Sequence, residues 1–220
     1  MYIGQNVKKV GKDMSFVGMH ITNEGIIAFA DSKASLLFED GRVVEDIKRG
    51  KIQKVFKNNN FILVTHGNNE IFSSKDKMNI EDYINNKMTD SITYEDFINN
   101  FYKDILNNKP EYNDGIYHFI IGTKSNNNQY CIYNINIDIH KNINTEKFPM
   151  PQPIYQGFIV GGNQTYINTY QAQSFYHDIN INEYSSHIKK VVESIIQLEN
   201  CFNRYKYNSV GLPVNIEIFQ

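Results

Sequence analysis

Asp31, Lys54 and Gly67 are the residues of this 220-residue chain whose types and placement suit chemistry. Asp31 ends the apolar run Ile26-Ile27-Ala28-Phe29-Ala30 and is followed at once by Ser32-Lys33. Lys54 opens the run Lys54-Val55-Phe56, and His66-Gly67 closes Phe61-Ile62-Leu63-Val64. An acid, a lysine and a glycine at the ends of neighbouring β elements can be aimed at one cleft. A carboxylate beside the lysine would hold it in its charged form. The plainer roles are a strand-end turn former for Asp31 and a solvated strand residue for Lys54. The six histidines are scattered; His66, beside Gly67, could line a pocket, but no second ligand stands at metal spacing. Gly-rich phosphate loops, a Ser-His-Asp order and CxxC pairs are absent, so no cofactor and no metal is expected.

The elements that must position these residues follow from period and punctuation. Phe16 to Ile21 and Ile26 to Ala30 read as two strands joined at Asn23-Glu24-Gly25, where the glycine can supply the positive φ of a tight reversal. Lys54-Val55-Phe56 and Phe61 to Val64 form a second pair across Asn58-Asn59-Asn60. Ile80, Tyr83 and Ile84 share one helix face. A second helix carries Phe97, Phe101 and Ile105, with Thr93 as N-cap, Glu95 and Asp96 in its first turn, and Pro110 beyond its end. Tyr117 to Gly122 and Tyr130 to Ile135 predict a hairpin around Ser125 to Asn128. After a link with Pro149, Pro151 and Pro153 comes a strand over 154–160, ending at Gly161-Gly162-Asn163. Helices over about 165–175 and 183–205 follow, the longer one with Ile188, Val191, Val192, Ile195, Ile196 and Leu198 as its apolar set, and a strand over 213–219 closes the chain. Strands, two helices, strands, two helices and a strand predict an α+β protein, a four-layer αββα sandwich.

The chemistry-bearing segments resemble those of proteasome β-subunits and their bacterial relatives, including the ancestral-β-subunit family, all N-terminal-nucleophile (Ntn) hydrolases. The family's Thr-Thr-x-Val-Gly strand is matched by Met14-Ser15-Phe16-Val17-Gly18, and its Ala-x-Asp-x-Arg/Lys-Ala-Thr by Ala28 to Ser35 with Asp31. Its Lys-hydrophobic-Phe run is matched by Lys54-Val55-Phe56, its oxyanion glycine by Gly67, and its last strand by Ser209-Val210-Gly211-Leu212-Pro213-Val214-Asn215-Ile216. The resemblance spans nearly the whole chain and implies the Ntn fold, with Asp31 orienting Lys54, Gly67 N–H facing an oxyanion, and Ser209 supporting the nucleophile.

Three departures bear on activity. Alignment on Val17-Gly18 puts Met14 at the nucleophile position, and a thioether has no proton to lose. Ser15 is adjacent, but strand neighbours point to opposite faces, which predicts that Ser15 faces away from Asp31 and Lys54. Gly161 stands where the family has a serine near the freed amine, and Lys206 or Asn203 where it has an acid. Ntn chemistry also uses a free α-amine as base, which a residue inside the chain lacks. The resemblance therefore implies a catalytically silent subunit that assembles with copies of itself or with related subunits, homologues forming closed rings. The alternative is an N-terminal-serine peptidase or amidohydrolase, acting on a peptide or amide substrate, in which an internal start at Met14 or processing frees Ser15.

Composition bounds the rest. The chain is 41% hydrophobic and 21% charged, with 22 basic against 24 acidic residues and a formal charge of −2, which argues against nucleic-acid and membrane partners. No apolar run approaches the roughly 20 residues needed to span a bilayer, and MYIGQNVKKVGKD lacks the apolar core of a secretory signal. Two distant cysteines, Cys131 and Cys201, suggest a reducing cytoplasm. Residues 1–13 read as an N-terminal extension and 14–220 as a single domain.

Overall fold

The computed structural model describes residues 15–37, 43–73, 76–108, 116–138, 147–175, 179–202 and 210–220. One four-stranded antiparallel sheet has the order β11 (Phe158–Gly162), β1 (Phe16–Ile21), β2 (Ile26–Asp31), β12 (Val214–Phe219). The other has the order β10 (Tyr130–Asp138), β9 (Ile116–Lys124), β6 (Phe61–Gly67), β5 (Val55–Lys57). Two short hairpins join them: β3 (Ser35–Leu37) with β4 (Val43–Glu45), and β7 (Glu70–Ser73) with β8 (Asp76–Asn79).

Period-two alternation sorts each strand's side chains into separate layers. In the first sheet Phe16, Ile27 and Phe29 turn outward onto α3 (Gln164–Gln171) and α4 (Ile181–Phe202), meeting Tyr166, Tyr170, Ile188 and Val192. Val17, Ala28 and Ala30 turn inward onto Val55, Ile62, Val64 and Ile120 of the second sheet. That sheet's far face, with Leu63, Phe119 and Ile135, is covered by α1 (Ile80–Lys87) and α2 (Tyr94–Asn107) through Tyr83, Phe97 and Phe101. Three apolar layers between four tiers of secondary structure make the αββα sandwich. Both faces of each sheet are buried, which is why the strand sequences carry apolar residues at nearly every position.

The predicted cap is present: Thr93 Oγ1 accepts from Asp96 N–H at 3.1 Å. Other boundaries move. The strand read over 154–160 is two pieces on different sheets: Ile154 exchanges both backbone bonds with Ile132 at 2.9 Å, then Gly157, at φ 85°, turns the chain onto β1. The helix read to Phe175 ends at Gln171, because Phe175 folds back with its ring 4.9 Å from that of His20. The last helix begins two residues early, at Ile181, where Asn180 Oδ1 accepts from Asn182 and Glu183 N–H. Leu198 falls off its buried stripe and is 49% exposed. Gly25 is not among the positive-φ glycines. Its lack of a side chain is needed for close approach, since a Cβ there would lie 2.5 Å from the Phe219 carbonyl oxygen.

Candidate functional site

β2 ends on Asp31, whose carboxylate is fully buried. Oδ1 accepts from Phe16 N–H at 2.9 Å and from Lys54 Nζ at 2.8 Å; Oδ2 accepts from Lys33 N–H at 3.2 Å and Gly211 N–H at 3.3 Å. Lys54, just ahead of β5 and also buried, donates a second bond to the Lys33 carbonyl at 3.1 Å. A buried ion pair with no further partners would cost about as much as it gains, and these added charge-assisted bonds satisfy what the pair leaves over.

A pocket opens beside this pair, lined by Ser15, Lys33, Lys54, Thr65, His66 and Gly67, with Ile80 and Glu81 of α1 on its far wall. Ser15 follows from the strand alternation of β1. Phe16 belongs to the helix-facing layer and Val17 to the inter-sheet layer, so Ser15 shares the face of Val17. Its carbonyl accepts from Asn163 N–H at 2.7 Å. By the same alternation Asp31 shares the face of Ile27 and Phe29, so Ser15 faces away from it as expected, whereas Lys54 lines one pocket with Ser15 against expectation.

Gly67, at φ 86°, ends β6. Thr65 N–H points towards β5, bonding the Lys54 carbonyl at 3.1 Å, whereas Asn68 N–H bonds Ile116 of β9 at 3.3 Å. Alternation gives Gly67 N–H the direction of Thr65, beyond the end of β5, where the pocket lies. Burial pushes the Lys33 ammonium below the ordinary lysine range; Glu45 and Asp31 pull it back up, and Lys51 lowers it further. At the rim Arg49 pairs with Glu81 at 2.5 Å.

Gly161 has no hydroxyl to offer, and the space a side chain would need there is filled. A Cβ on it would lie 2.3 Å from His66 Nε2. Gly162, at φ 109°, lets β11 reach β1, since a Cβ there would lie 1.9 Å from the Ser15 carbonyl oxygen. Met14, Asn203, Lys206, Ser209 and the extension 1–13 lie outside the described residues. Among the described residues no group of three or more metal-ligating side chains could hold a metal ion.

Two solved structures share this arrangement of layers. One is a Gly-1 mutant of Anbu from Hyphomicrobium sp. strain MC1, 13% identical, with a TM-score of 0.53 over 94% of this chain and 82% of that one. The other is Anbu (ancestral β-subunit) from Yersinia bercovieri, 12% identical, with a TM-score of 0.52 over 93% of this chain and 81% of that one. The chain has the ancestral β-subunit fold. This agrees at the level of fold with the proteasome-like resemblance of the motifs. No protein-family model and no curated protein matches the sequence. Among the described residues, no helix of this ancestral β-subunit fold is long and apolar enough to cross a membrane.

Sequence reasoning aimed Asp31, Lys54 and Gly67 at one cleft; Lys54 bonds Asp31 and lines a pocket with Gly67 and Ser15. It missed the Gly211 N–H on Asp31, the Lys33 carbonyl on Lys54 and the seating of His66 against Gly161. The Gly161-Gly162 pair was the available signal, because adjacent glycines in a strand mark close approach of other groups.

Proposed function

We propose that the chain is an N-terminal-nucleophile amide hydrolase whose nucleophile is Ser15, freed by removal of residues 1–14. One observation supports this reading: Phe16 N–H, the next backbone donor after Ser15, and the Lys54 ammonium bind the same oxygen of Asp31. Ser15 also lines the pocket with Lys54 and Gly67. In the reaction Ser15 Oγ attacks an amide carbon and passes its proton to the Ser15 α-amine. The developing oxyanion meets Gly67 N–H, with the Lys54 charge nearby. The α-ammonium then protonates the departing amine, and water hydrolyses the ester left on Ser15. Ser209 is the further residue proposed to support the nucleophile. Peptides or other amides are the substrate class.

With residues 1–14 attached, Ser15 has no α-amine, and the same chain is a silent subunit that works by self-assembly. Sheet edges at β11 and β12, and the exposed Leu198 and Phe202 one turn apart on α4, favour association of copies. Intact mass separates the two forms. A β-lactone, which acylates an activated hydroxyl, then adds to Ser15 of the processed protein and not to the Ser15→Ala variant. Labelling that survives Ser15→Ala overturns the assignment.

A further inference from the structure

Building on Ser15 as nucleophile, we propose that His66 is a positioning residue for the Ser15 amine, its imidazole holding and exchanging a proton with that nitrogen. In a strand, the N–H and C=O of one residue point to the same edge. The Ser15 carbonyl points to β11, where it accepts from Asn163 N–H, while Phe16 N–H points the other way, to Asp31. The Ser15 nitrogen therefore lies on the β11 edge. Gly161 of that edge pairs with Val17, the second residue after Ser15.

The side-chain space of Gly161 is taken by His66 Nε2, 2.3 Å from where a Cβ would stand. The imidazole thus projects from β6 across the inter-sheet gap towards the edge that the Ser15 nitrogen shares. His66 is buried and is the one histidine among the described residues lining the pocket. Its backbone neighbour is Gly67, so the imidazole and the Gly67 N–H come from one strand end. Seated this way, the histidine fills a place that a hydroxyl-bearing residue at position 161 could otherwise take.

The charges around the ring set the direction of its effect. Lys54, just ahead of β5, and Lys33, which follows β2, bring positive charge to the same pocket. Glu81 of α1 opposes them, with its carboxylate tied to Arg49. On its other side the ring stacks on His118 of β9 with centroids 4.6 Å apart and planes within 3°, and His118 Nδ1 meets Asn136 Oδ1 at 2.5 Å. Asp31 lies behind Lys54 and is neutralised by it. A neutral imidazole can accept a proton from the ammonium of Ser15; a protonated one repels it.

The test uses the purified protein, its amino terminus fixed by intact mass, and follows the pH dependence of Ser15 acylation by a β-lactone. In the processed protein the rate falls on an acid limb. His66→Gln lowers the rate at neutral pH by about 100-fold, as expected for a lost proton-transfer partner, and removes that limb. Gly161→Ser alone clashes with the ring and unfolds the site. His66→Ala combined with Gly161→Ser refolds and labels without the acid limb, so a folding defect of one variant does not decide the matter. A processed wild type that labels while His66→Gln keeps both rate and limb overturns the role of His66 and leaves Ser15 in place. A protein that retains residues 1–14, or a processed one that does not label, overturns the Ser15 reading and the role of His66 with it.

Discussion

Gly162 approaches Ser15 so closely that a Cβ on it would stand 1.9 Å from the Ser15 carbonyl oxygen. No side chain fits there, and φ of 109° is itself a conformation that other residues enter at about 1–3 kcal/mol. Gly162→Ala must therefore part the end of β11 from Ser15 and break the Asn163–Ser15 bond. The expected loss is more than about 3 kcal/mol, read as a shift in the urea midpoint. An unshifted midpoint would show that the two strand ends do not meet this closely.

Removing one member of the Asp31–Lys54 pair strands the other in the interior. Asp31→Ala leaves an ammonium with the Lys33 carbonyl alone among its two bonds to protein, and the cost should be about 3–5 kcal/mol. Lys54→Met leaves a carboxylate that keeps three backbone N–H donors, so its cost should be smaller. The double variant should lose less than the sum of the two, because both act on one contact. Denaturant unfolding of the four proteins checks the ordering, and additive losses would contradict the coupling.

The buried imidazole of His20 ties β1 to both outer helices. Its Nε2 meets Tyr170 Oη of α3 at 2.5 Å, and its Nδ1 meets Tyr184 Oη of α4 at 3.0 Å. Tyr170→Phe deletes the shorter of these bonds without changing ring packing, at an expected cost of about 1–3 kcal/mol. Hydrogen exchange should then speed up in α3 more than in α2, which packs on the other sheet. Equal change in both helices would contradict the layered assignment.

Alkaline pH should unfold the protein through its outer helical layer. Burial raises Tyr166 and Tyr184 to about 12, with Glu199 and then Asp31 adding to the shift on Tyr166. A phenol raised above its unfolded value of about 10 contributes stability that is complete below that value. The contribution is lost as pH climbs through the folded value, here over about 10 to 12. Phenolate absorbance and circular dichroism should change together in that window. Ionisation of these tyrosines at pH 10 with the fold intact would contradict their burial.

The layers and the acid–lysine pair were legible because apolar period and strand-end punctuation are local signals. Phe16-Val17 and Phe29-Ala30 sort themselves by alternation, and Thr93 with Asp96 announces its own helix end. That Ser15 shares a pocket with Lys54 was not legible from alternation along β1, because the lysine comes from the other sheet. Nor was the change of sheet between Ile154 and Phe158, because two strands on different sheets read as one apolar run. His66 against Gly161 joins residues far apart in sequence, and periodicity carries no information about such a meeting.

Asp31 binds backbone from β1, from the turn after β2 and from the stretch before β12, besides the lysine ahead of β5. Four strand ends are knotted at one carboxylate. A chain of this fold without hydrolytic activity would still need that knot to keep its two sheets in register. Retention of an acid and a lysine at these places is thus a signature of architecture. Surveys that count working hydrolases by that pair would count silent ones too, and the residue at the amino terminus is the discriminating mark.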